Sequence, residues 1–218
     1  MRTSRFFTSD DPRIDKVMLE LPKHWWSRPY EYAWAASFAA REHTVLDAAC
    51  GLCHPFKYHL CKLCKSVYAC DKNKHILCNR NILLDMFRYF GVDAFDFPLD
   101  YFGKPILSRQ DISKTSYDDA MFNTIFCISV LEHLPEEDVL KILVEFKRIL
   151  NKDGLIVITF EYPLLEPETF NIVLKQSGLI YADAVILDLP DTALTTDLYH
   201  QYDAGPYCFR ALLTSVPS

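Results

Sequence analysis

Several features are scarce or absent in this chain of 218 residues, and each absence narrows its possible functions. No apolar run approaches the length of about 20 residues that a membrane-spanning helix needs. The first residues lack the apolar centre of a signal peptide. We therefore expect a cytoplasmic protein with no membrane partner, whose eight cysteines are mostly reduced thiols.

Clusters of basic residues are absent as well. The formal net charge is −6, from 23 Lys and Arg against 29 Asp and Glu, and no block of one sign offers a surface to a phosphate backbone. Nucleic acid is therefore not an expected partner. Internal repeats and low-complexity segments are also missing, and nothing in the sequence indicates the oligomeric state.

What is present is an alternation of short apolar strands and amphipathic helices, which predicts an α/β fold with a doubly wound, mostly parallel sheet of seven strands. We expect an N-terminal helical cap or lid over residues 1–43 and the main domain over 44–218, both in one structural unit. Helices are predicted from near Asn73, after Leu134 with Pro135 as first helical residue, and over Pro167–Ser177. The predicted strands are Thr44–Ala48, Ser66–Cys70, Pro105–Arg109, Asn123–Val130, Leu155–Phe160, Ala184–Leu189 and Tyr207–Leu213.

A turn of small residues follows the first predicted strand, at the place where open parallel sheets bind ligands. Small side chains let the backbone pass close to a ligand. The segment Thr44-Val45-Leu46-Asp47-Ala48-Ala49-Cys50-Gly51 resembles the first motif of class I S-adenosylmethionine-dependent methyltransferases. That motif usually has glycine where this chain has Ala49 and Cys53, and only Gly51 keeps it. An ordinary strand-to-helix turn of an unrelated α/β fold is the alternative.

The second predicted strand is followed by an acid, Asp71, which lies 20 residues after Gly51. A carboxylate at this place can accept hydrogen bonds from both hydroxyls of a ribose, as it also does in NAD sites. Its alternative role is to cap the helix that follows.

Two further segments favour a methyl donor over a nicotinamide and leave a dehydrogenase as a minor alternative. Ser108-Arg109-Gln110-Asp111-Ile112 resembles the loop in which methyltransferases bind adenine, with the acid accepting from the exocyclic amino group and the next residue packing on the ring. Asn123 to Pro135 resembles the fourth strand and its exit, with the Leu131-Glu132-His133-Leu134 sequence typical of small-molecule methyltransferases.

The resemblance spans roughly residues 30–160 and implies a Rossmann-like fold, S-adenosylmethionine as cofactor, S-adenosylhomocysteine as product and a small molecule or peptide as acceptor. A catalytically silent nucleoside-binding module is the alternative function. The implied cofactor contacts are Asp47, Ala49, Cys50, Gly51, Asp71, Lys72, Asp111, Ile112, Ser129 and Val130.

Methyl transfer by in-line displacement needs alignment above all, and a base only when the acceptor is protonated. His133 is the predicted base because the ordinary pKa of imidazole lies near neutrality. Its alternative role is to bond the loop or to line the cofactor pocket. Glu132 is the second catalytic candidate, with a contact to the cofactor's amino group or to the substrate as its alternative.

Aromatic residues are dense between Trp25 and Trp34. This density predicts a lid over the substrate, in which Trp26, Arg28 and Tyr30 contact the substrate or the cofactor carboxylate. An amphipathic helix seated on the sheet is the alternative. Tyr162, just past the fifth strand, is a further predicted substrate contact.

Two cysteine pairs, Cys50-x-x-Cys53 and Cys61-x-x-Cys64, have the spacing of zinc ligands. A metal on the first pair would compete with the nucleoside for the same turn. We therefore expect no metal and cysteines that fill small spaces in the core, with a cysteine-ligated zinc protein as the alternative.

Overall fold

Strands and helices alternate along most of the chain in the computed structural model, which describes residues 2–197 and 205–216. Short 3-10 turns occur at Lys74–Leu77, Gly91–Asp96, Leu99–Tyr101 and Leu131–His133. The strands and α-helices in chain order are β1 (Arg5–Phe6), β2 (Lys16–Val17), β3 (Leu19–Glu20), α1 (Arg28–Ala36), β4 (Thr44–Ala48), α2 (Phe56–Leu63), β5 (Ser66–Asp71), α3 (Asn79–Phe90), β6 (Ile106–Arg109), β7 (Phe122–Ile128), α4 (Glu136–Ile149), β8 (Leu150–Tyr162), α5 (Pro167–Ser177), β9 (Leu179–Tyr181) and β10 (Tyr207–Ser215).

The main sheet has the order β1-β10-β8-β7-β4-β5-β6, with β9 also paired to β10. The five strands from β8 to β6 are parallel neighbours, and β10 runs antiparallel to β8, β9 and β1. This confirms the predicted α/β, Rossmann-like fold. The described residues form eight strands in this sheet rather than seven, because β1 from the N-terminal segment joins it.

Each face of the sheet is covered by helices, because the side chains of a strand alternate between the two faces. Alternate strand residues such as Leu46 and Ile125 pack with α4 and α5 on one face. Their sequence neighbours Val45 and Phe126 pack with α1 and α2 on the other. Because helices cover both faces, the carboxyl ends of the central strands are the part of the sheet where a ligand site can form.

The N-terminal segment differs from the predicted helical cap, since residues 1–43 supply a sheet strand and the small β2–β3 hairpin as well as the single α-helix α1. Asp11 fastens this segment to the sheet. Its buried carboxylate accepts hydrogen bonds from Arg5 and, at 3.0 Å, from Arg210 on β10. The assignment of residues 1–43 as a cap or lid within one structural unit stays a prediction.

The predicted strand over Ala184–Leu189 is wrong. Gly178 ends α5 in the left-handed conformation, and the chain enters β9 at the next residue. Residues 184–189 make only an isolated bridge, between Val185 and Ser4, and Val185, Ile186 and Leu189 are exposed. Their apolar character alone suggested a strand.

Two helix starts also differ from the prediction. A 3-10 turn, begun by the Asn73 side chain accepting from His75 N at 3.0 Å, precedes α3. In α3 the buried face consists of Ile82, Met86 and Phe90. Pro135 caps α4 rather than occupying its first turn.

Candidate active site

The carboxyl ends of β4, β5 and β7 surround a cavity of about 400 Å³. They meet there because the chain passes from β4 to β5 on one side and returns to β7 on the other, which is the switch point of an open parallel sheet. We call this the larger cavity. It is lined by Ala49, Asp71, Lys72, Gln110, Asp111, Ile112, Ser113, Ser129, Val130, His133, Leu134, Asp138 and Ile142.

A second cavity, of about 80 Å³, adjoins the first and lies closer to α1. Ala49, Ser129 and Val130 line both and form the shared wall. We call this the smaller cavity. Its other lining residues are Arg28, Tyr32, Asp47, Ala48, Cys50, Gly51, His54, Phe56 and Ile128.

The turn after β4 has a left-handed backbone at two residues, Ala49 with φ 52° and Gly51 with φ 60°. A Cβ at Gly51 would lie 2.6 Å from Cδ2 of His54, so this position requires glycine for space as well as for backbone conformation. Ala49 adopts a conformation that costs an L-residue about 1–2 kcal/mol. The shared wall of the cavities therefore contains backbone strain.

Asp71 joins two of the predicted elements. Its Oδ2 accepts from the N–H of Gly51 at 3.0 Å, and its Oδ1 accepts from the N–H of Asn73 at 2.8 Å. The carboxylate therefore caps the turn after β5, rather than the helix α3 that begins at Asn79, and it also lines the larger cavity.

Asp111 is held by the turn that follows it. Its Oδ1 accepts from the backbone N–H of Ser113 at 2.9 Å and from its hydroxyl at 2.7 Å. These two bonds lower the pKa of Asp111 below its usual range. The carboxylate thus stays ionised beside Ile112 in the wall of the larger cavity.

A buried lysine lies beneath the turn after β4. Lys57 is 0% exposed, and its ammonium donates to the carbonyl oxygens of Gly51 at 2.8 Å, Leu52 at 3.0 Å and His54 at 2.6 Å. Sequence reasoning missed this residue, because it belongs to no motif and reads as one lysine of an amphipathic helix.

Glu31, also missed from the sequence, lies at the centre of a buried polar network behind the smaller cavity. It pairs with Arg28, and it accepts from the hydroxyls of Ser129, at 2.8 Å, and Thr159. Arg28 also donates to Ser129 Oγ at 2.6 Å. Burial raises the pKa of Glu31, but Arg28 and the hydroxyls outweigh it and the pKa is lowered. Spacing by three residues in a helix was the available signal for this pair.

Two buried carboxyl groups keep an oxygen without a hydrogen-bond partner in the described part of the chain, Oδ2 of Asp47 and Oε2 of Glu132. Their residues are 4% and 7% exposed. Burial raises the pKa of Asp47 to about 7, with Lys57 opposing the shift, and raises that of Glu132 to about 8. Unpaired buried carboxyl oxygens are costly, and they mark a place suited to a cationic or donor group.

The sequence matches the profile of a methyltransferase domain over residues 46–158, which is more than half of the chain. The chain belongs to this methyltransferase family. Membership confirms the prediction of an S-adenosylmethionine-dependent methyltransferase made from the motifs. No curated protein sequence matches the chain.

Solved structures share the fold at low sequence identity. A TehB-like S-adenosylmethionine-dependent methyltransferase from Corynebacterium glutamicum has 19% identity and a TM-score of 0.57, covering 85% of this chain and 87% of that one. The magnesium protoporphyrin IX methyltransferase of Synechocystis, solved with S-adenosylmethionine, has 15% identity and a TM-score of 0.56, covering 85% and 76%. The cyclase SpnF has 13% identity and a TM-score of 0.63, covering 98% and 87%.

In this methyltransferase, His133 lies at the wall of the larger cavity and is exposed. Burial and the nearby Arg28 lower its pKa, so the imidazole is neutral at pH 7. Glu132 instead points inward, where its Oε1 accepts from the N–H of Glu161 at 3.3 Å. The two catalytic candidates thus face different surroundings.

The aromatic segment before β4 is mostly packed rather than open. Tyr30 is buried in the cluster between α1 and the sheet. Trp26 packs at the edge of that cluster and lies close to Glu161. Burial and Glu31 raise the pKa of Glu161, and Trp26 partly opposes that shift. Trp25 stacks on His54 with ring centroids 4.4 Å apart. Of the predicted lid contacts, only Arg28 lines one of the two cavities.

Tyr162 lies at the end of β8, outside the two cavities. Its ring packs on Phe6 at 5.9 Å and on Tyr207 at 6.3 Å. Its predicted contact with substrate is not tested by this placement.

The eight cysteines are free thiols. Cys50 and Cys53 are buried in the apolar cluster that also contains Tyr58, and burial raises the pKa of both thiols. Over residues 2–197 and 205–216, no group of three or more His, Cys, Asp or Glu is arranged to hold a metal ion. In the same residues no helix is long and apolar enough to cross a membrane.

Proposed function

We propose that this methyltransferase moves the methyl group of S-adenosylmethionine onto a small molecule or a peptide by in-line displacement. One observation supports the proposal: two adjoining cavities are lined by hydrogen-bond acceptors and donors of the kinds that the two halves of this cofactor would use. The carboxylates of Asp71 and Asp111 line the larger cavity, and Asp47 and Arg28 line the smaller one.

The larger cavity is proposed to hold the nucleoside. Asp71 would accept hydrogen bonds from the ribose hydroxyls, and Asp111 from the amino group of adenine through the oxygen that Ser113 leaves free. Ile112 would pack on the adenine ring, and Lys72 would lie at the same wall. A ligand with both a ribose and an exocyclic amino group satisfies these carboxylates.

The smaller cavity is proposed to hold the methionine half. The unpaired Oδ2 of Asp47 would accept from the ammonium group, and Arg28 would donate to the carboxylate. The turn residues Ala49, Cys50 and Gly51 line this cavity, and their backbone would pack along the part of the cofactor that joins its two halves. Ser129 and Val130, which line both cavities, would hold the junction.

The bound cofactor supplies a methyl group that its sulfonium already activates. The chain then has to align acceptor and methyl carbon at about 3–3.5 Å and to exclude water. His133, neutral at pH 7, is the proposed proton acceptor when the nucleophile carries a proton. Four residues that line neither cavity remain candidates for substrate contact: Glu132, Trp26, Tyr30 and Tyr162.

The nature of the acceptor is supported by charge and by relatives. The magnesium protoporphyrin IX methyltransferase is named for a small molecule. The net charge of −6 disfavours nucleic acid as acceptor. We further propose a cytoplasmic location, because all eight cysteines are free thiols.

Titration calorimetry with S-adenosylmethionine and S-adenosylhomocysteine tests the proposal. Wild type should bind both, and Asp71→Asn should weaken binding by about 10- to 100-fold, which corresponds to hydrogen bonds from one charged group. Asp96→Asn, an exposed acid in a 3-10 turn, is the matched control and should bind like wild type. No binding to wild type would refute the proposal. Binding without methyl transfer to any acceptor in a broad screen would indicate the silent module instead.

A further inference from the structure

Lys57 is a buried charged group to which the proposed chemistry assigns no role. Its side chain is fully buried in α2, and its three N–H donors meet the three carbonyls of Gly51, Leu52 and His54. Burying an ammonium is costly unless it is fully hydrogen-bonded. An apolar side chain of the same length would fill the space without that cost, so the charge at this position calls for a reason.

The three hydrogen bonds fix the direction of the peptide groups in the turn. A trans peptide is planar, with its N–H opposite its C=O. With the carbonyls of Gly51 and Leu52 turned towards Lys57, the N–H groups of Leu52 and Cys53 point away from it. Asp71 in turn accepts from the N–H of Gly51 at 3.0 Å. The turn is thus clamped through its carbonyl groups by Lys57 and through one N–H group by Asp71.

The same lysine sets the charge next to the smaller cavity. Burial raises the pKa of Asp47, and the Coulomb attraction of Lys57 opposes that shift. Asp47 has no ion pair in the described residues, so Lys57 lowers the pKa of this carboxyl group by Coulomb attraction at a distance and not through a direct contact. The carboxylate that faces the cavity is therefore more ionised than burial alone would allow.

We propose that Lys57 is a positioning residue of the cofactor site, which holds the turn in the binding conformation that glycines at positions 49 and 53 permit in the usual motif. This inference rests on the proposed function, because it concerns the turn that is assigned to the methionine half. It explains how a chain with Ala49 and Cys53 keeps the turn that its family uses.

The test compares Lys57→Met with Lys62→Met, a lysine on the same helix whose ammonium lies 5.5 Å from the ring of Tyr101. The dissociation constant of S-adenosylhomocysteine is measured by calorimetry between pH 6 and pH 9. Lys57→Met should weaken binding by about tenfold or more. It should also move upward the pH at which binding is half-maximal, because Asp47 would lose the positive charge that lowers its pKa. Lys62→Met should change neither. A folded Lys57→Met protein with unchanged affinity and midpoint would overturn the inference, whereas failure of wild type to bind would refute the proposed function instead.

A second variant covers the case in which Lys57→Met does not fold. Lys57→Met combined with Ala49→Gly restores the usual glycine at the left-handed position of the turn, so the turn should reach the binding conformation without its clamp. Recovery of folding and of binding to within about tenfold of wild type would support the inference. Failure of this double variant to fold or to bind would overturn it, because the lysine would then be needed even with glycine at position 49.

Discussion

In the larger cavity the acids take hydrogen bonds from the turns that follow their own strands, whereas behind the smaller cavity the ion pair of α1 is hydrogen-bonded to hydroxyls of distant strand ends. Asp71 and Asp111 each accept from a backbone N–H two residues onward. Arg28 bonds to Ser129, which is 101 residues away, and Glu31 to Thr159, which is 128 residues away. The first kind of site is set by local sequence, and the second exists only once the sheet has formed.

The two cavities also differ in how much charge they bury. The acids of the larger cavity are at least partly exposed, and the pKa of Asp111 is lowered by its hydrogen bonds with Ser113. Around the smaller cavity burial raises the pKa of Asp47 and of Glu132. The smaller cavity therefore stores free energy that a cationic ligand group can release, while the larger one is relaxed before binding.

The strongest test of this contrast removes Arg28. Arg28→Met leaves Glu31, whose side chain is 0% exposed, buried without its cation. Breaking a buried pair from one side costs about 3–5 kcal/mol, so the free energy of unfolding of the unliganded protein should fall by that amount in urea titration. Arg28→Met combined with Glu31→Gln should recover most of it.

Arg13→Met is the control for that measurement. The Arg13–Asp15 pair is more than half exposed on both sides, and exposed pairs contribute about 0–1 kcal/mol. A loss for Arg28→Met no larger than for Arg13→Met would mean that the smaller cavity is not a buried charge network.

The pH dependence of stability should have opposite signs at the two cavities. Asp47 has a folded pKa of about 7 against an unfolded value of about 3.9, so the unfolded state releases its proton first as pH rises. Stability should therefore fall between about pH 4 and pH 7, by up to about 1.4 kcal/mol per pH unit. Asp47→Asn should remove this part of the slope, with a further fall up to about pH 8 remaining from Glu132.

Asp111 supplies the contrasting case for those urea titrations. Its lowered folded pKa stabilises the protein above its unfolded pKa, and this stabilisation is lost as pH falls through the folded value. Asp111→Asn should therefore alter the profile only below about pH 4. An unchanged slope in Asp47→Asn between pH 4 and pH 7 would contradict the burial of this carboxyl group.

The sequence predicted lining residues of both cavities but missed two buried charged groups beside the smaller one, for a physical reason. Asp71, Asp111 and Ile112 lie at or just after the ends of short apolar strands, where the resemblance to methyltransferase motifs located them. Glu31 depends on which helix packs against which strand end, and that information is distributed over the whole fold. Lys57 has local partners, but no pattern in the sequence indicates that its ammonium turns inward to them. The misplaced strand at 184–189 has a related cause, since an apolar run does not tell a strand from a loop that packs beside one.

A smaller effect is expected at the adenine end. If Asp111 accepts from the exocyclic amino group, wild type should bind S-adenosylhomocysteine about tenfold more tightly than its inosine analogue, which lacks that group. Asp111→Ala should abolish this preference, measured by calorimetry with both ligands. Asp118→Ala, an exposed acid in the loop before β7, should keep it. Equal affinities in wild type would remove Asp111 from the adenine contacts.

The smallest expected effect concerns strain in the wall between the cavities. Ala49 has φ 52°, a conformation that glycine adopts freely and alanine does not. Ala49→Gly should raise the free energy of unfolding by up to about 1 kcal/mol, the strain of about 1–2 kcal/mol less the extra entropy of glycine in the unfolded chain. In a chain of this length this corresponds to a rise in Tm of about 2–4 °C, measured by thermal unfolding.

Ala48→Gly, one residue earlier, makes the same chemical change inside β4, where the side chain is buried and the residue is not among those with positive φ. It should destabilise the protein, because glycine weakens a strand and leaves a space in the core. Opposite signs at these neighbouring residues would locate the strain in the turn. If Ala49→Gly instead destabilises as Ala48→Gly does, the turn is not left-handed at residue 49, and the wall that joins the two cavities is as relaxed as the rest of the larger one.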